Sequence, residues 1–300
     1  MHFYDVGQAL AVLVDLPDGR HVLVDAGNPP HRAGCGESCE AAHAHLLDAL
    51  RRDLRGKPLD LLWITHQHDD HIGGAPDVLR TFGASVYVDN GRDASKAEVV
   101  AAHEAAAAAG ARIDVVDPNH RAVPLTAAEG ETFLALVPSA WPAACRHNAN
   151  DCSIGLEVEA CGSSVVFVGD AEHAEDQQLD VQGPVGVLQV GHHGGDGASS
   201  DAFLDRASPR YAVVSAGHPA EGMNKTYCHP RRYAVARLAA HLDATATRKL
   251  QVFDDEVECK SEASSAHWTE AVASDRLWAT ERDGDVVLVT RGDGRWSREP

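Results

Sequence analysis

No stretch of this 300-residue chain holds about 18 consecutive apolar residues, so we expect no membrane-spanning helix. The first residues also lack a basic region followed by an apolar stretch, which is the pattern of a secretory signal, and the cytoplasm is therefore the expected compartment. Apolar residues make up 44% of the chain and charged residues 24%. This composition is typical of a globular protein long enough to bury a substantial core.

Basic side chains are scarce, with 26 Lys and Arg residues against 45 Asp and Glu residues and a formal net charge of −19. An acidic surface repels phosphate backbones, so the sequence does not favour sequence-independent binding of long nucleic acid. An anionic substrate would have to be attracted by a local basic rim or by bound metal ions.

The seven cysteines are an odd number, which argues against a complete disulfide framework. Cys35 and Cys39 are close enough in sequence to pair or to bind a metal, but no second pair has matching spacing. We therefore expect free thiols in a reducing compartment.

Histidines and carboxylates cluster directly after the apolar run Leu61–Ile64, which reads as a buried strand. Imidazole nitrogens and carboxylate oxygens are ligands for divalent metals such as zinc. On an extended turn, His66 and His68 can bind one ion, while Asp70 and His71 point elsewhere and can hold a second. A solvated surface turn is the alternative, and the position directly after a buried strand argues against it.

The pattern His66-x-His68-x-Asp70-His71 resembles the signature of the metallo-β-lactamase superfamily. Over residues 2–240 the wider pattern is similar to that of ComEC-type hydrolase domains. The alternation of strands and helices fits the fold of that superfamily, an αββα sandwich of two mixed β-sheets flanked by helices. We expect residues 1–242 to form the hydrolase domain. Residues 243–300 should add a loop over 243–264 and a β-hairpin over 277–296, packed on the same domain.

The resemblance also assigns roles to residues outside the histidine turn, which is the segment His66–His71. Asp25 matches an aspartate that orients a ligand histidine, and Asp170 matches one that bridges two metals. His229 matches a ligand of the second metal. In the Gly191-His192-His193-Gly194 turn, one histidine would complete the metal set or donate a proton, and His193 is favoured although the sequence does not resolve the pair.

The chain departs from the family pattern at several positions. Gly195 stands where a serine is usual and Cys228 where a glycine is usual. Many relatives supply a third histidine to the first metal from the loop that here reads Asn150-Asp151-Cys152-Ser153. The third protein ligand of the first metal therefore stays open among His147, Asn150, His192 and His193.

Arg231 and Arg232 form one of the few basic clusters and are well placed to meet a phosphate. Capping of a solvated helix is the alternative role for these arginines.

The resemblance implies a hydrolase that uses two divalent ions, Zn²⁺ or Mn²⁺, to activate a hydroxide nucleophile. Asp70 would orient the hydroxide as well as bind metal, and His193 would protonate the leaving oxygen. We expect a phosphodiesterase or nuclease for short or single-stranded nucleic acid. Hydrolysis of an ester, lactone or thioester, and a non-catalytic metal-binding regulatory module, remain alternatives, and the oligomeric state stays open.

Overall fold

The computed structural model of the chain describes residues 1–254, 256–259 and 264–299. Within these residues the strands are β1 (His2–Phe3), β2 (Val12–Asp15), β3 (His21–Val24), β4 (Leu59–Trp63), β5 (Ala84–Asp89), β6 (Arg112–Val115), β7 (Thr132–Leu136), β8 (Gly155–Ala160), β9 (Ser163–Phe167), β10 (Val187–Gln189), β11 (Tyr211–Val214), β12 (Thr247–Phe253), β13 (Trp268–Ser274), β14 (Leu277–Ala279), β15 (Val286–Thr290) and β16 (Trp296–Arg298). The α-helices are α1 (Glu37–Leu54), α2 (Asp69–Ile72), α3 (Ala75–Phe82), α4 (Ala97–Ala108), α5 (His173–Asp176), α6 (Asp201–Ala207), α7 (Asn224–Tyr227), α8 (Arg232–His241) and α9 (Thr280–Asp283).

Two mixed sheets form the centre of the molecule. The first has eight strands in the order β16-β15-β1-β2-β3-β4-β5-β6, and the second has six in the order β14-β11-β10-β9-β8-β7. Strands β3 to β6 are parallel to one another, as are β9, β10, β11 and β14. Since the carboxyl ends of parallel strands meet at one edge of a sheet, the loops that follow them gather there.

The core between the sheets is built from alternating apolar side chains of both. Trp63 of the first sheet and Phe167 of the second are fully buried in it. The indole N–H of Trp63 donates to the carbonyl of Ile154 at 2.8 Å, so even the polar atom of this side chain is satisfied across the interface. Burial of such large side chains contributes about 1.5–3 kcal/mol each.

Helices cover the two outer faces. Apolar residues of α1, α3 and α4 pack on the outer face of the first sheet, and those of α6 and α8 pack on the second. The predicted αββα sandwich of two mixed sheets flanked by helices is therefore confirmed.

The C-terminal residues differ from the sequence-based expectation. The apolar runs on either side of Arg282-Asp283-Gly284-Asp285 do not pair with each other: β14 lies parallel to β11 in the second sheet, whereas β15 pairs with β1 in the first. The short helix α9 carries the chain from one sheet to the other. The expected hairpin over 277–296 is thus wrong, and the hairpin that forms is β15–β16.

Residues 243–264 were expected to be a loop, and this is also wrong for much of the segment. Strand β12 pairs antiparallel with β13 over seven residues and forms a separate two-stranded sheet against α8. Alternating side chains of β12, including Leu250 and Val252, are buried in the outer core of the second sheet. Residues 255 and 260–263 of the predicted loop, and residue 300, lie outside the described residues.

The expectation of free thiols is corrected as well. Six cysteines form the disulfides Cys35–Cys39, Cys145–Cys152 and Cys228–Cys259, and Cys161 remains as a thiol. An odd count excludes only a pairing of all seven residues, so it could not exclude three pairs with one cysteine left over.

No helix among the described residues combines the length and apolarity that crossing a bilayer requires.

Candidate metal centre

The histidine turn follows β4 and is held in place by Asp25, which follows the neighbouring strand β3. Asp25 is fully buried and has a left-handed backbone with φ 57°. Its carboxylate accepts hydrogen bonds from the Thr65 N–H and hydroxyl, both at 2.8 Å, and from His71 Nδ1 at 2.6 Å. The bond from Nδ1 fixes the His71 tautomer and leaves Nε2 free to bind a metal.

Two groups of potential metal donors lie side by side at this edge of the sheets. His66, His68 and Asp170 form one group, and Asp70, His71 and His193 form the other. Within each group the donor atoms all lie within 4.8 Å of one another. This spacing suits a shared ion, since metal–ligand distances are about 2.0–2.3 Å and tetrahedral ligands are therefore roughly 3–4 Å apart.

Asp170 stands between the two groups. Its Oδ1 lies 3.2 Å from His71 Nε2 and 3.6 Å from His193 Nε2, and its Oδ2 lies 3.9 Å from His66 Nε2. One oxygen thus faces each group, which is the arrangement that a bridging carboxylate needs. The preceding residue, Gly169, has φ 57°, and a Cβ there would lie 2.6 Å from Thr65 Oγ1, so any side chain at this position would be strained and would displace Thr65.

The turn after β10 supplies the second pair of histidines. His192 and His193 both have positive φ values, 48° and 53°, which is unusual for consecutive residues other than glycine and typical of functional sites. His193 Nδ1 lies 2.7 Å from the carbonyl oxygen of Ser215 and must donate to it, so its Nε2 carries the lone pair that faces Asp170. His192 instead places Nδ1 3.2 Å from Glu172 Oε1.

Most of the histidines in the centre are held in the neutral form. Burial lowers the pKa of His68 and His193, and it lowers the pKa of His66 and His229 well below the usual value. Neutral imidazole is the form that binds a metal, so these histidines can bind without first losing a proton.

His71, His192 and Asp170 behave in the opposite way because they face opposite charges. Burial alone would lower the pKa of His71, but Asp170 and Asp25 outweigh it and raise that pKa well above its usual value. For His192, Asp170 and Glu172 likewise outweigh burial and raise the pKa. Burial would raise the pKa of Asp170, yet His71 and His193 hold it well below the usual range.

The donor atoms fit a divalent cation at this position. His71 Nε2, His193 Nε2 and Asp170 Oδ1 are buried and have no hydrogen-bond partner among the described residues. Buried polar atoms without partners are costly, and a cation between them would satisfy all three.

A cavity of about 260 Å³ opens onto the centre. Besides His68, Asp70 and Asp170, its walls include Arg32, Asp69, Lys96, Asn150, His192 and Tyr227. Asn150 Nδ2 donates to Glu172 Oε1 at 2.9 Å, and the same oxygen lies 3.2 Å from His192 Nδ1, so Glu172 joins the Asn150 loop to the His192 turn at the rim.

Neither the two donor groups nor the cavity walls include the predicted site residues His229, His147 and Arg231. His229 is buried with its ring centroid 5.0 Å from that of His192, next to the centre but in neither group. His147 is exposed and is in neither group. Arg231 lies 3.5 Å from Asp196 Oδ2 and stacks on Phe253, and it is not among the residues that line the cavity. The roles predicted for these residues stay predictions.

Sequence reasoning did not single out Arg32, Lys96 or Tyr227 as residues of the site. Lys96 belongs to the site because its Nζ donates to the Gln67 carbonyl at 2.7 Å inside the histidine turn. No local pattern around Arg32 or Tyr227 marks them as site residues, because only the folded chain brings them to the cavity.

The chain has recognisable relatives. The sequence profile of the Metallo-beta-lactamase superfamily matches residues 4–218. ComE operon protein 3 of Bacillus subtilis is 29% identical over 253 residues, which are 79% of this chain and 30% of that protein. Competence protein ComA of Neisseria gonorrhoeae is 31% identical over 247 residues, 79% of this chain and 29% of that protein. Recombination protein 2 of Haemophilus influenzae is 28% identical over 232 residues, 71% of this chain and 24% of that protein.

The chain therefore spans less than a third of the length of these curated relatives. Among solved structures, the human tRNase Z short form aligns at 15% identity and a TM-score of 0.44, over 72% of this chain and 93% of that one. Igni18, a metallo hydrolase from Ignicoccus hospitalis, aligns at 18% identity and a TM-score of 0.42, over 71% of this chain and 81% of that one. The profile match and the three ComEC-like relatives confirm the resemblance seen in the sequence: this chain belongs to the metallo-β-lactamase superfamily of metal-dependent hydrolases.

Proposed function

We propose that this chain is a metal-dependent phosphodiesterase that cleaves short or single-stranded nucleic acid. The observation that carries the proposal is the pair of donor groups that meet at Asp170 and open onto a cavity bearing Arg32 and Lys96. Two relatives whose names refer to competence and recombination support a nucleic-acid substrate.

Two divalent ions would be held by the two donor groups, one ion in each. Nitrogen and oxygen donors without cysteine suit Zn²⁺ or Mn²⁺. When bound, such ions supply Lewis acidity and a water of lowered pKa as the nucleophile. The chain's own contribution is to hold the donors rigidly: Asp25 fixes His71, and the Ser215 carbonyl fixes His193.

Asp70 is the residue proposed to orient the attacking water. It lines the cavity, and its Oδ2 lies 3.8 Å from His193 Nε2 and 3.6 Å from Arg32 Nη1. His71, His193 and Arg32 outweigh the effect of burial and lower the pKa of Asp70, so it remains a carboxylate that can accept a hydrogen bond from water.

Protonation of the leaving oxygen is better assigned to His192 than to His193. Because His193 donates its Nδ1 proton to Ser215, its Nε2 is an acceptor and suits a metal. His192 lines the cavity, and Glu172 beside its Nδ1 favours the protonated ring that a donor requires.

The size of the cavity supports a substrate that enters as a single strand or a strand end. Drug-sized ligands occupy pockets of about 300–1,000 Å³, so a cavity of about 260 Å³ has room for little more than one nucleotide-sized group. The net charge of −19 opposes binding of long duplex along the outer surface.

The three disulfides bear on the compartment in which the protein works. Disulfides persist in oxidising compartments and are rare in the cytoplasm. We therefore propose an oxidising compartment in place of the cytoplasm expected from the sequence. Alkylation followed by mass spectrometry tests this: a protein from its native source should be labelled at Cys161 alone unless it is first reduced.

The phosphodiesterase is tested by measuring metal content on a sample that is also assayed against bis-p-nitrophenyl phosphate and labelled single-stranded DNA. We expect about two ions per chain and cleavage of both substrates. His68→Ala should lose cleavage, whereas the matched control His120→Ala, at an exposed histidine paired with Asp117, should keep it. His192→Gln should lower kcat while retaining metal.

Other outcomes would overturn the proposal. Two ions per chain with neither substrate cleaved would point to acyl or lactone hydrolysis. Purified protein without metal would point to a binding module.

A further inference from the structure

One carboxylate holds two cations together across the mouth of the metal centre. Lys96 Nζ donates to Asp69 Oδ1 at 2.8 Å, and Arg32 Nε lies 3.8 Å from Asp69 Oδ2. All three side chains line the cavity that opens onto the donor groups. The two cations therefore flank one entrance, although they come from segments more than 60 positions apart in the sequence.

Arg32 is fixed in position. Its side chain is 10% exposed, and its Nη2 donates to the Tyr227 hydroxyl at 2.8 Å while Nη1 donates to Asn28 Oδ1. The guanidinium carbon lies 5.6 Å from the centre of the Tyr227 ring, within range for a cation–π contact. The backbone of Arg32 is joined to the residue that begins the Cys35–Cys39 disulfide, because the Cys35 N–H donates to the Arg32 carbonyl at 3.1 Å.

Lys96 is held from the other side of the entrance. It immediately precedes α4, and its Nζ donates to the Gln67 carbonyl at 2.7 Å as well as to Asp69. The side chain is 34% exposed, so it can reach a ligand in the cavity. These two hydrogen bonds tie the start of α4 to the histidine turn, and the ammonium group has a third N–H that it can donate to a ligand.

Arg32 and Lys96 share this entrance with the carboxylates of Asp69, Asp70 and Asp170, and the charge of metal ions held by Asp70 and Asp170 would offset those two carboxylates. The net charge of the protein is −19, yet two of its 26 basic residues meet beside the centre. Fixed cations in a cleft attract anions and can contact phosphate oxygens directly.

We propose that Arg32 and Lys96 bind a second phosphate of the substrate, adjacent to the phosphate that is cleaved. This inference rests on the proposed function and makes it more specific. The preferred substrate is a chain with at least two phosphodiester linkages, and a diester with a single linkage loses the contact to the two cations. Asp69 keeps the cations in place in the free protein and shares them with the phosphate when substrate binds.

The test compares phosphorothioate-linked thymidine trinucleotide and dinucleotide, which resist hydrolysis, by calorimetric binding to the protein as purified. We expect the trinucleotide to bind about tenfold more tightly, as for one added charge-assisted phosphate contact. Lys96→Gln should reduce this ratio below about threefold, and Lys96→Arg should restore most of it. The matched control Lys249→Gln, which removes a lysine paired with Glu270 on the β12–β13 sheet, should keep the wild-type ratio.

Equal binding of the two oligonucleotides by the wild-type protein, or binding of neither, would overturn the inference, as would a ratio unchanged in Lys96→Gln. The proposed function is judged separately by cleavage of bis-p-nitrophenyl phosphate, which has one phosphate. If that diester is cleaved but the trinucleotide is not preferred, only the second-phosphate site is refuted. If the trinucleotide is preferred in a way that depends on Lys96 but no substrate is cleaved, the phosphodiesterase is refuted and the anion site is retained.

Discussion

Replacing Asp25 with asparagine removes one negative charge from beneath the metal centre and changes little in volume. The carboxylate accepts three hydrogen bonds, two from Thr65 and one from His71 Nδ1. Asparagine offers one acceptor oxygen and an NH₂ group, and the NH₂ group must then face a donor. At least one of the three bonds is therefore lost in a site with no access to water.

The expected loss of metal affinity follows from these contacts. A hydrogen bond to a charged group contributes about 1.5–3 kcal/mol, which corresponds to a factor of roughly 10–100 in an equilibrium constant. His71 makes the shortest of the three bonds, 2.6 Å. In the variant, His71 loses both the acceptor that fixes its tautomer and the negative charge beside it. We therefore expect Asp25→Asn to weaken metal binding about 10–100-fold, in line with other residues that orient metal ligands.

Competition with a chelator at constant pH measures this effect. The matched control is Asp60→Asn, because Asp60 accepts a hydrogen bond from the His21 N–H in the same sheet, far along the strand from the histidine turn. The control should bind metal like the wild type. A chelator midpoint within twofold of the wild-type value for a folded Asp25→Asn protein would refute the role given to Asp25.

Three further predictions concern stability. Burial raises the pKa of Glu281 from 4.5 to about 7, so the folded state holds this proton more tightly than the unfolded state and stability falls as the pH rises from 4.5 to 7. Glu281→Gln should therefore become more stable than the wild type as the pH rises through that window, by about 3 kcal/mol at most. In urea unfolding, the difference in free energy between variant and wild type should be larger at pH 8 than at pH 5, and equal differences would contradict the prediction. The Cys228–Cys259 disulfide closes a segment of 31 residues, and its removal in Cys228→Ser/Cys259→Ser should lower the free energy of unfolding by about 3–4 kcal/mol; unchanged urea unfolding would contradict this. Gly169→Ala should cost about 1–3 kcal/mol and reduce metal content, because the new methyl group meets Thr65 and shifts Asp170; full metal content in elemental analysis would count against it.

The core of the site could be predicted from the sequence because its signal is local. One apolar run ends at Ile64, two residues before His66, and a second ends at Val168, two residues before Asp170. Both place polar donors at strand ends, and the fold brings those ends to one edge. The αββα sandwich follows from the same alternation of strand and helix patterns together with the family resemblance.

The remaining features depend on contacts that no local pattern contains. Arg32 and Lys96 meet only because Asp69 lies between them in the folded chain. The three disulfides depend on which loops face each other, and counting cysteines gives no such information. The path of the C-terminal segment was wrong for a similar reason: Arg282-Asp283-Gly284-Asp285 has the composition of a hairpin turn, yet the strands on either side find partners in different sheets.

That segment also sets the order in which the protein can become active during synthesis. β1 is synthesised long before β15, and the edge of β1 that pairs with β15 stays open until β15 is made, since His2 pairs with Val287. Thr280 bonds both the N–H and the carbonyl of Ala216, next to the Ser215 carbonyl that orients His193. The donor group around His193 is thus completed only after nearly all of this chain has been made, and contacts so distant in sequence form slowly. A nascent chain would carry the histidine turn long before it could cut nucleic acid, so the proposed activity would appear only with the finished fold.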